Sequence, residues 1–214
     1  MAIAFFDLDG TITQRDTLFP LVLRQLARHP PRLLLLLGLV PALCRFAFDH
    51  DRGALKQSLL RITLRGTERQ ELDRLCEQFV RDTIARRCFD DALAKVRRHR
   101  DAGHYLVLMS ASVDFYVPEF GRQLGFDRVI STGVRWIGDR LDGTLTTPNR
   151  RGEEKAHCVR ELLAQRDDSE TFAYGNSDSD LAHMLLVRHA LLVNGSSKAR
   201  RQAADLGIQT TDWT

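Results

Sequence analysis

The chain has 214 residues, enough for one α/β domain with an insertion, and its 43% hydrophobic residues can form a globular core. Lys and Arg exceed Asp and Glu by only 31 to 28, spread along the chain, so charge gives no reason to expect a nucleic-acid partner. The cysteines form no CxxC pair and lack zinc-ligand spacing with the histidines, which argues against disulfide and zinc frameworks. The N-terminal MAIAFFDLDG has no signal-peptide pattern, so we expect a cytoplasmic protein.

Four short apolar runs each end in a polar cluster, a pattern typical of buried parallel strands. They lie at residues 2–6, 105–109, 171–174 and 190–193. Helical stretches separate them, so the sequence predicts an α/β fold with a Rossmann-like parallel sheet and right-handed crossovers. In such sheets ligands bind beyond the carboxyl ends of the strands, where all four polar clusters would lie.

The connection between the first two strands has about ninety residues, whereas a crossover needs roughly a dozen. Leucines and arginines alternate there at near-helical spacing. The predicted helices cover residues 17–28, 32–48, 53–64 and 69–87. We therefore predict a helical cap at residues 15–88, inserted after the first strand, and a catalytic core formed by residues 1–14 and 89–214.

A second irregular stretch, residues 128–147, contains three glycines among β-branched and aromatic residues. This composition predicts a hairpin or flap.

The cap sequence contains an apolar run at residues 33–44, flanked by Arg32 and Arg45. A helix of about twelve residues spans about 18 Å, short of the roughly 30 Å core of a bilayer, and Pro41 would interrupt it, so we do not expect it to cross a membrane. Two interpretations remain open. The run could be a buried cap helix, or residues 32–48 could make peripheral contact with the inner face of a membrane, with arginines meeting anionic head groups. An exposed apolar surface there would also suit a dimer, so the sequence leaves the oligomeric state open.

The first polar cluster places Asp7 and Asp9 two residues apart at a strand end, so an extended backbone would turn both carboxylates to the same side. An ionised carboxylate can act as a nucleophile without a general base, although a phosphate dianion repels it. Mg²⁺ bound by oxygen ligands would remove that repulsion, and Asp9 could transfer protons to and from the leaving group and water. The alternative is a structural turn, in which Gly10 permits the bend and Thr11 caps a helix.

Two further side chains suit phosphate chemistry. Ser110 follows the second predicted strand and is a neutral donor, whereas Lys155 is a fixed positive charge, and both types stabilise a phosphoryl group in transfer. Singly, each has a simpler interpretation, because a serine after a strand often caps a helix and a lysine near a helix start is often solvated.

The order of four motifs resembles that of the haloacid dehalogenase superfamily of phosphatases. The motifs are FFDLDGT at residues 5–11, LMSAS at 108–112, the lysine of RGEEKAHCV, and YGNSDSD at 174–180. A cap between the first and second motifs is similar to that of type I members of subfamily IB, which include phosphoserine phosphatases. The resemblance implies that Asp7 is a nucleophile forming a phosphoaspartate and that Asp9 is the general acid and base. It also implies four phosphate-binding positions, Thr11, Ser110, Ala111 and Lys155.

The same resemblance implies a Mg²⁺ site formed by Asp7, the backbone carbonyl of Asp9, and Asn176. The family has an acid at the position of Asn176, and an amide oxygen carries no charge, so we expect weaker metal binding unless Asp178 or Asp180 compensates. Asp180 matches a family acid that lies behind the ligands or orients the lysine. Asp178 is either a further ligand or an acid at a helix start.

The motifs together predict a Mg²⁺-dependent phosphatase that acts on phosphomonoesters. The substrate could be a small molecule, as in phosphoserine phosphatase-like enzymes or those that act on histidinol phosphate. It could also be a phospholipid head-group phosphate such as that of phosphatidylglycerophosphate, because the start of the cap resembles phosphatidylglycerophosphatase C and an apolar cap would suit an acyl chain. A different class stays open, namely a non-catalytic protein of the same fold that binds phosphorylated ligands or lipids with a weakened metal site.

Overall fold

The computed structural model describes residues 2–28 and 30–214. Within these ranges, six strands form one parallel sheet in the order β3-β2-β1-β6-β7-β8, and two form a separate antiparallel hairpin, β4-β5. The strands are β1 (Ala2–Asp7), β2 (Tyr105–Val113), β3 (Arg128–Thr132), β4 (Val134–Ile137), β5 (Arg140–Leu145), β6 (Glu170–Gly175), β7 (His189–Val193) and β8 (Gln209–Thr211). The predicted α/β fold with a parallel sheet is confirmed, and all four predicted strands belong to that sheet.

Helices connect the strands and cover the sheet. The α-helices are α1 (Leu18–Ala27), α2 (Val40–Asp49), α3 (Arg52–Thr63), α4 (Arg69–Arg87), α5 (Asp90–Asp101), α6 (Val117–Leu124), α7 (Glu153–Ala164), α8 (Leu181–Met184) and α9 (Ser197–Asp205). Two 3-10 helices cover Pro30–Leu39 and Asp178–Asp180. The first four α-helices follow β1 directly, where the sequence predicts the cap. The boundaries of cap and core remain predictions.

Strand β1 is central because it is apolar on both faces. Ile3 and Phe5 belong to the apolar cluster on one side of the sheet, whereas Ala4 and Phe6 belong to the cluster on the other, and all four are fully buried. This alternation is the period of two expected of an extended chain. Because β1 pairs in parallel with β2 and β6, the polar residues after all three strands meet at one edge of the sheet.

The stretch at residues 128–147 is only partly a flap. Its first five residues form β3, which pairs with β2 at the edge of the main sheet, so the prediction of a hairpin there is wrong for residues 128–132. The chain leaves the sheet at Gly133, where a side chain would lie only 2.4 Å from the hydroxyl of Thr146. The following β4 and β5 form the predicted hairpin.

The apolar run of the cap is not one buried helix. Residues 30–39 wind as a 3-10 helix and α2 follows, with Pro41 in its first turn, where proline is tolerated. Leu34 and Leu37 are each 69% exposed, so the interpretation as a buried cap helix is wrong. Pro30–Asp49 is also longer than the predicted run and, by length and composition alone, could span a membrane.

The hairpin joins the cap to the core through backbone contacts. The amide of Gly66 donates to the carbonyl of Leu141 at 2.8 Å, and the amide of Leu141 donates to the carbonyl of Thr67 at 3.0 Å. Gly143 of β5 packs directly on α3, because a Cβ at this position would lie 3.0 Å from the backbone nitrogen of Arg61. The cap helices and the hairpin therefore form one packed unit over the sheet edge.

We expect Gly143→Ala to destabilise the protein by about 1–2 kcal/mol more than Gly138→Ala, as measured by urea unfolding. Both glycines have positive φ, +85° and +56°, so both substitutions strain the backbone, but a side chain at Gly138 meets nothing within 4 Å. Equal losses for the two variants would contradict the close contact between β5 and α3.

Candidate active site

Asp7 is the last residue of β1 and its carboxylate is held from two sides. Thr11 donates its hydroxyl to Oδ2 of Asp7 at 3.0 Å, and Nζ of Lys155 donates to Oδ1. The chain reverses just beyond the strand, where Gly10 has a φ of +82° that favours glycine. Asp7 is only 5% exposed, so burial in a mostly protein environment governs its ionisation.

Lys155 is a buried cation between two carboxylates. It lies in the first turn of α7, is 3% exposed, and donates to Oδ1 of Asp180 at 2.7 Å as well as to Asp7. The other oxygen of Asp180 accepts the amide and hydroxyl of Ser177 at 3.0 and 2.7 Å, which closes the turn after β6. Asp180 thus holds the side chain of Lys155 in place, and the role that the resemblance implies for Asp180 stays a prediction.

The three charges shift one another's pKa values. Burial, with a smaller contribution from the negative charge of Asp180, raises the pKa of Asp7 to about 7 against the opposing charge of Lys155. Burial also acts to raise the pKa of Asp180, but Lys155 and the donors of Ser177 outweigh it and hold that pKa low. Burial disfavours the charge of Lys155, yet the two carboxylates raise its pKa above the usual value. Asp180 therefore stays ionised, and Asp7 is the carboxylate whose charge the site opposes.

Asp9 lies in the same site and accepts hydrogen bonds at both oxygens. Thr17 donates its amide and its hydroxyl to Oδ1 at 2.9 and 2.6 Å, and Ser112 donates its hydroxyl to Oδ2 at 2.9 Å. Burial raises the pKa of Asp9, the charge of Asp16 raises it further, and the bonds from Thr17 and Ser112 oppose this. A carboxylic acid with a raised pKa keeps a proton to higher pH, which suits a proton donor.

A cavity of about 570 Å³ opens between the sheet edge and the cap helices. Six of the eight predicted site residues line it, namely Asp7, Asp9, Ala111, Lys155, Asn176 and Asp180. Thr11 and Ser110 are buried and do not line the cavity. Thr11 instead contacts Asp7, and Ser110 accepts the amide of Ser112 at 3.0 Å.

Asn176 lies directly against the turn after β1. A Cβ at Gly10 would lie 2.0 Å from Nδ2 of Asn176, so only glycine allows this close approach. The predicted metal donors, the carboxylate of Asp7, the carbonyl of Asp9 and the amide of Asn176, therefore belong to neighbouring segments. No group of three or more His, Cys, Asp or Glu side chains that could hold a metal is found in residues 2–28 and 30–214.

The donor set still fits Mg²⁺, because every member is an oxygen of the kind that this hard cation prefers. Each oxygen of Asp7 accepts one hydrogen bond and retains capacity for another partner. Asp178 does not line the cavity and accepts Nζ of Lys198 at 3.0 Å, at the first position of its 3-10 helix. The structure therefore favours the helix-start interpretation of Asp178.

The sequence analysis missed three residues that reach the site. Ser112 could have been found, because it follows Ser110 by two residues in an extended strand and shares its face. Thr17 and Lys56 gave no local signal, since the cap brings them to the site from a distance in sequence. Lys56, in α3, donates to the backbone carbonyl of Ala111 and to Oδ1 of Asn149, and so bridges cap and core.

Lys56 is a half-buried cation that faces acidic residues without forming an ion pair with them. Burial lowers its pKa to about 8, and the carboxylates of Asp9 and Asp16 oppose that shift. Its hydrogen bonds go to neutral oxygens, so its charge remains available to an anion in the cavity.

We expect Lys155→Met to lower the free energy of unfolding by about 3–5 kcal/mol at pH 8, because it leaves Asp7 and Asp180 buried without a cation. Without the lysine the pKa values of both carboxyl groups would rise, so the native state would bind more protons than the unfolded state. The stability of the variant would then fall as pH rises, and its loss of unfolding free energy relative to the wild type should be smaller at pH 5 than at pH 8. Urea unfolding at both pH values measures this. Lys198→Met removes a surface pair and should cost less than about 1 kcal/mol. A similarly small loss for Lys155→Met would contradict the account.

Comparison with known proteins identifies the family to which the chain belongs. The family model described as haloacid dehalogenase-like hydrolase matches residues 4–185. The chain is 35% identical to Protein CicA of Caulobacter vibrioides over 177 residues, covering 82% of this chain and 78% of that protein. It is 26% identical to Phosphoserine phosphatase SerB1 of Mycobacterium tuberculosis, covering 99% of this chain and 71% of that one.

A solved structure shares the fold of this chain over almost its whole length. A protein of unknown function from Bordetella pertussis Tohama I is 25% identical, with a TM-score of 0.76, and the match covers 99% of this chain and 98% of that one. The resemblance drawn from the four motifs is confirmed at the level of the superfamily. The strand-end carboxylates, the buried lysine and the family match agree, and the chain belongs to the haloacid dehalogenase-like hydrolases.

Proposed function

We propose that the chain is a Mg²⁺-dependent phosphomonoesterase that transfers the phosphoryl group to Asp7. The observation that carries the proposal is the position of the Asp7 carboxylate, which ends the central strand, lines the 570 Å³ cavity beside Asp9, and contacts a buried lysine. Membership of a hydrolase family and similarity to a protein named as a phosphoserine phosphatase support this choice.

Asp7 would attack phosphorus through a carboxylate oxygen, and the leaving oxygen would depart with the proton of Asp9. Asp9 is oriented for this task, because Thr17 and Ser112 together bind both of its oxygens. Asp9 would then take a proton from the water that attacks the aspartyl phosphate, which releases inorganic phosphate and restores Asp7 as a carboxylate and Asp9 as a carboxylic acid.

Charge is the main obstacle to this reaction, since a phosphate dianion approaches a site with several buried acids. Lys155 is fixed between Asp7 and Asp180 and can donate to a phosphoryl oxygen from that position. Mg²⁺ held by Asp7, the carbonyl of Asp9 and Asn176 would supply further positive charge when bound. The carboxylate of Asp7 would then ionise more readily, because its pKa of about 7 arises from burial and neighbouring negative charge.

The side chains that line the cavity indicate which substrates fit it. The cap side contributes two cations, Arg52 and Lys56, and five apolar side chains, namely Leu18, Phe19, Phe46, Leu55 and Leu59. We therefore propose a phosphomonoester whose leaving group has apolar parts, either a small molecule or the head-group phosphate of a phospholipid.

Phosphate release tests the function directly. We expect Mg²⁺-dependent release from at least one of four substrates, and none from Asp7→Asn, which keeps the shape of the side chain but lacks the nucleophile. The substrates are an aryl phosphate, phosphoserine, histidinol phosphate, and phosphatidylglycerophosphate in mixed micelles. Binding of these compounds without any release would favour the non-catalytic alternative.

We expect Asn176→Asp to lower the Mg²⁺ concentration for half-maximal activity by roughly tenfold, because it adds a charged oxygen ligand. Asp178→Asn is the matched control, since Asp178 lies outside the cavity and pairs with Lys198, and it should leave this concentration unchanged. The measurement is initial rate against Mg²⁺ concentration. An unchanged requirement in Asn176→Asp would contradict the proposed ligand role of Asn176.

A further inference from the structure

The cap carries an apolar stripe that no part of the described chain covers. Leu34, Leu37, Val40 and Leu43 are 69%, 69%, 54% and 51% exposed, and they follow one another at intervals of three. A 3-10 helix has three residues per turn, so its residues at i and i+3 eclipse and share one face. The winding of residues 30–39 therefore places Leu34 and Leu37 on one face, and the exposed Val40 and Leu43 at the start of α2 extend this apolar surface.

The opposite face of the same segment is anchored to the cap. Leu39 is buried, and a Cβ at Gly38 would lie 3.3 Å from Cγ2 of Ile62 in α3. Helices α1 and α3, which precede and follow the segment, both belong to this cap unit. The segment thus lies along the surface of the cap, and crossing a membrane would require these contacts to break.

The segment that carries the stripe contains arginines and no acidic residues. Residues 17–48 contain four arginines and no Asp or Glu. Arg24 forms an ion pair with Asp82, and Arg45 pairs with Asp49 just beyond this range, whereas Arg28 and Arg32 are exposed beside the start of the 3-10 helix. An apolar row next to exposed arginines matches the pattern of helices that lie in the interface of an anionic bilayer.

We propose that the stripe, defined as Leu34, Leu37, Val40 and Leu43, docks the protein on the surface of a membrane that contains anionic lipids. A second copy fits this surface less well, because a symmetric contact would bring two acid-free, arginine-bearing segments together. The docking would also bring one helix of the cavity wall to the membrane, since Phe46, which lines the cavity, belongs to α2 together with Val40 and Leu43. Docking does not depend on the proposed chemistry.

Co-sedimentation with vesicles tests the docking. The wild-type protein should bind vesicles of phosphatidylglycerol and phosphatidylcholine, and Leu34→Glu/Leu37→Glu should lower the partition coefficient tenfold or more. The matched control is Ile137→Glu, which changes a 63% exposed residue on the hairpin and should bind like the wild type. Arg28→Gln/Arg32→Gln should weaken binding to the anionic vesicles several-fold and reduce its dependence on salt.

Aryl phosphate hydrolysis and thermal unfolding of the same variants should match the wild type, because the exchanged side chains are exposed and lie outside the catalytic residues. Failure of the wild type to bind anionic vesicles, or equal binding by Leu34→Glu/Leu37→Glu, would overturn the proposal. A second outcome would favour a dimer over membrane docking. In it, the wild type does not bind vesicles and sediments as a dimer, whereas Leu34→Glu/Leu37→Glu sediments as a monomer. Loss of phosphatase activity in every protein, with vesicle binding retained, would contradict the proposed function and not the docking.

Discussion

The buried contact of Lys155 with Asp7 and Asp180 is the interaction on which the rest of the site depends. Two carboxylates and one ammonium group are removed from water, which is costly unless the charges are paired and hydrogen-bonded. The turn after β6 satisfies Asp180 with donors from Ser177, so Asp180 retains its charge and fixes the lysine. The site stabilises the charge of Asp7 less than that of Asp180, and the pKa of Asp7 is therefore raised. A carboxylate held in this state gains from any positive charge that enters the cavity.

The fold supplies this arrangement by bringing distant segments to one sheet edge. Three parallel strands, β1, β2 and β6, end side by side and contribute Asp7, Ser112 and Asn176 from the turns and strand ends there. The cap supplies the remaining wall, and its contacts with the core include those of Lys56 and of the hairpin β4-β5. The site is therefore completed only when the inserted helices are seated on the core.

Much of this could be predicted from local sequence. The apolar runs that end in polar clusters locate the strands, and four motifs in order locate Asp7, Asp9, Lys155 and Asn176. Local sequence patterns did not predict the features that depend on contacts between residues distant in sequence. Residues 128–132 joined the sheet because β2 offered an unpaired edge, which the glycine-rich composition of the stretch does not reveal. Thr17 and Lys56 approach the site through the packing of the cap, and their contacts have no signature within a few residues of sequence.

The apolar run shows a different limit. Its length and its leucines are equally compatible with a buried helix and a surface helix, and the 3-10 winding that exposes Leu34 and Leu37 is a consequence of how the cap packs. A helix is buried only where other parts of the protein pack against it, and the hydrophobicity of its own sequence does not show which parts do so.

The central claim is that Asp7 becomes phosphorylated during turnover. Acid quenching of Asp9→Asn with its preferred phosphomonoester and Mg²⁺, followed by peptide mass spectrometry, tests it directly, because loss of the general base should slow hydrolysis of the aspartyl phosphate. The account predicts phosphate on the peptide that contains Asp7, and none in Asp7→Asn/Asp9→Asn. Phosphate on another residue, or turnover by Asp7→Asn at the wild-type rate, would contradict it.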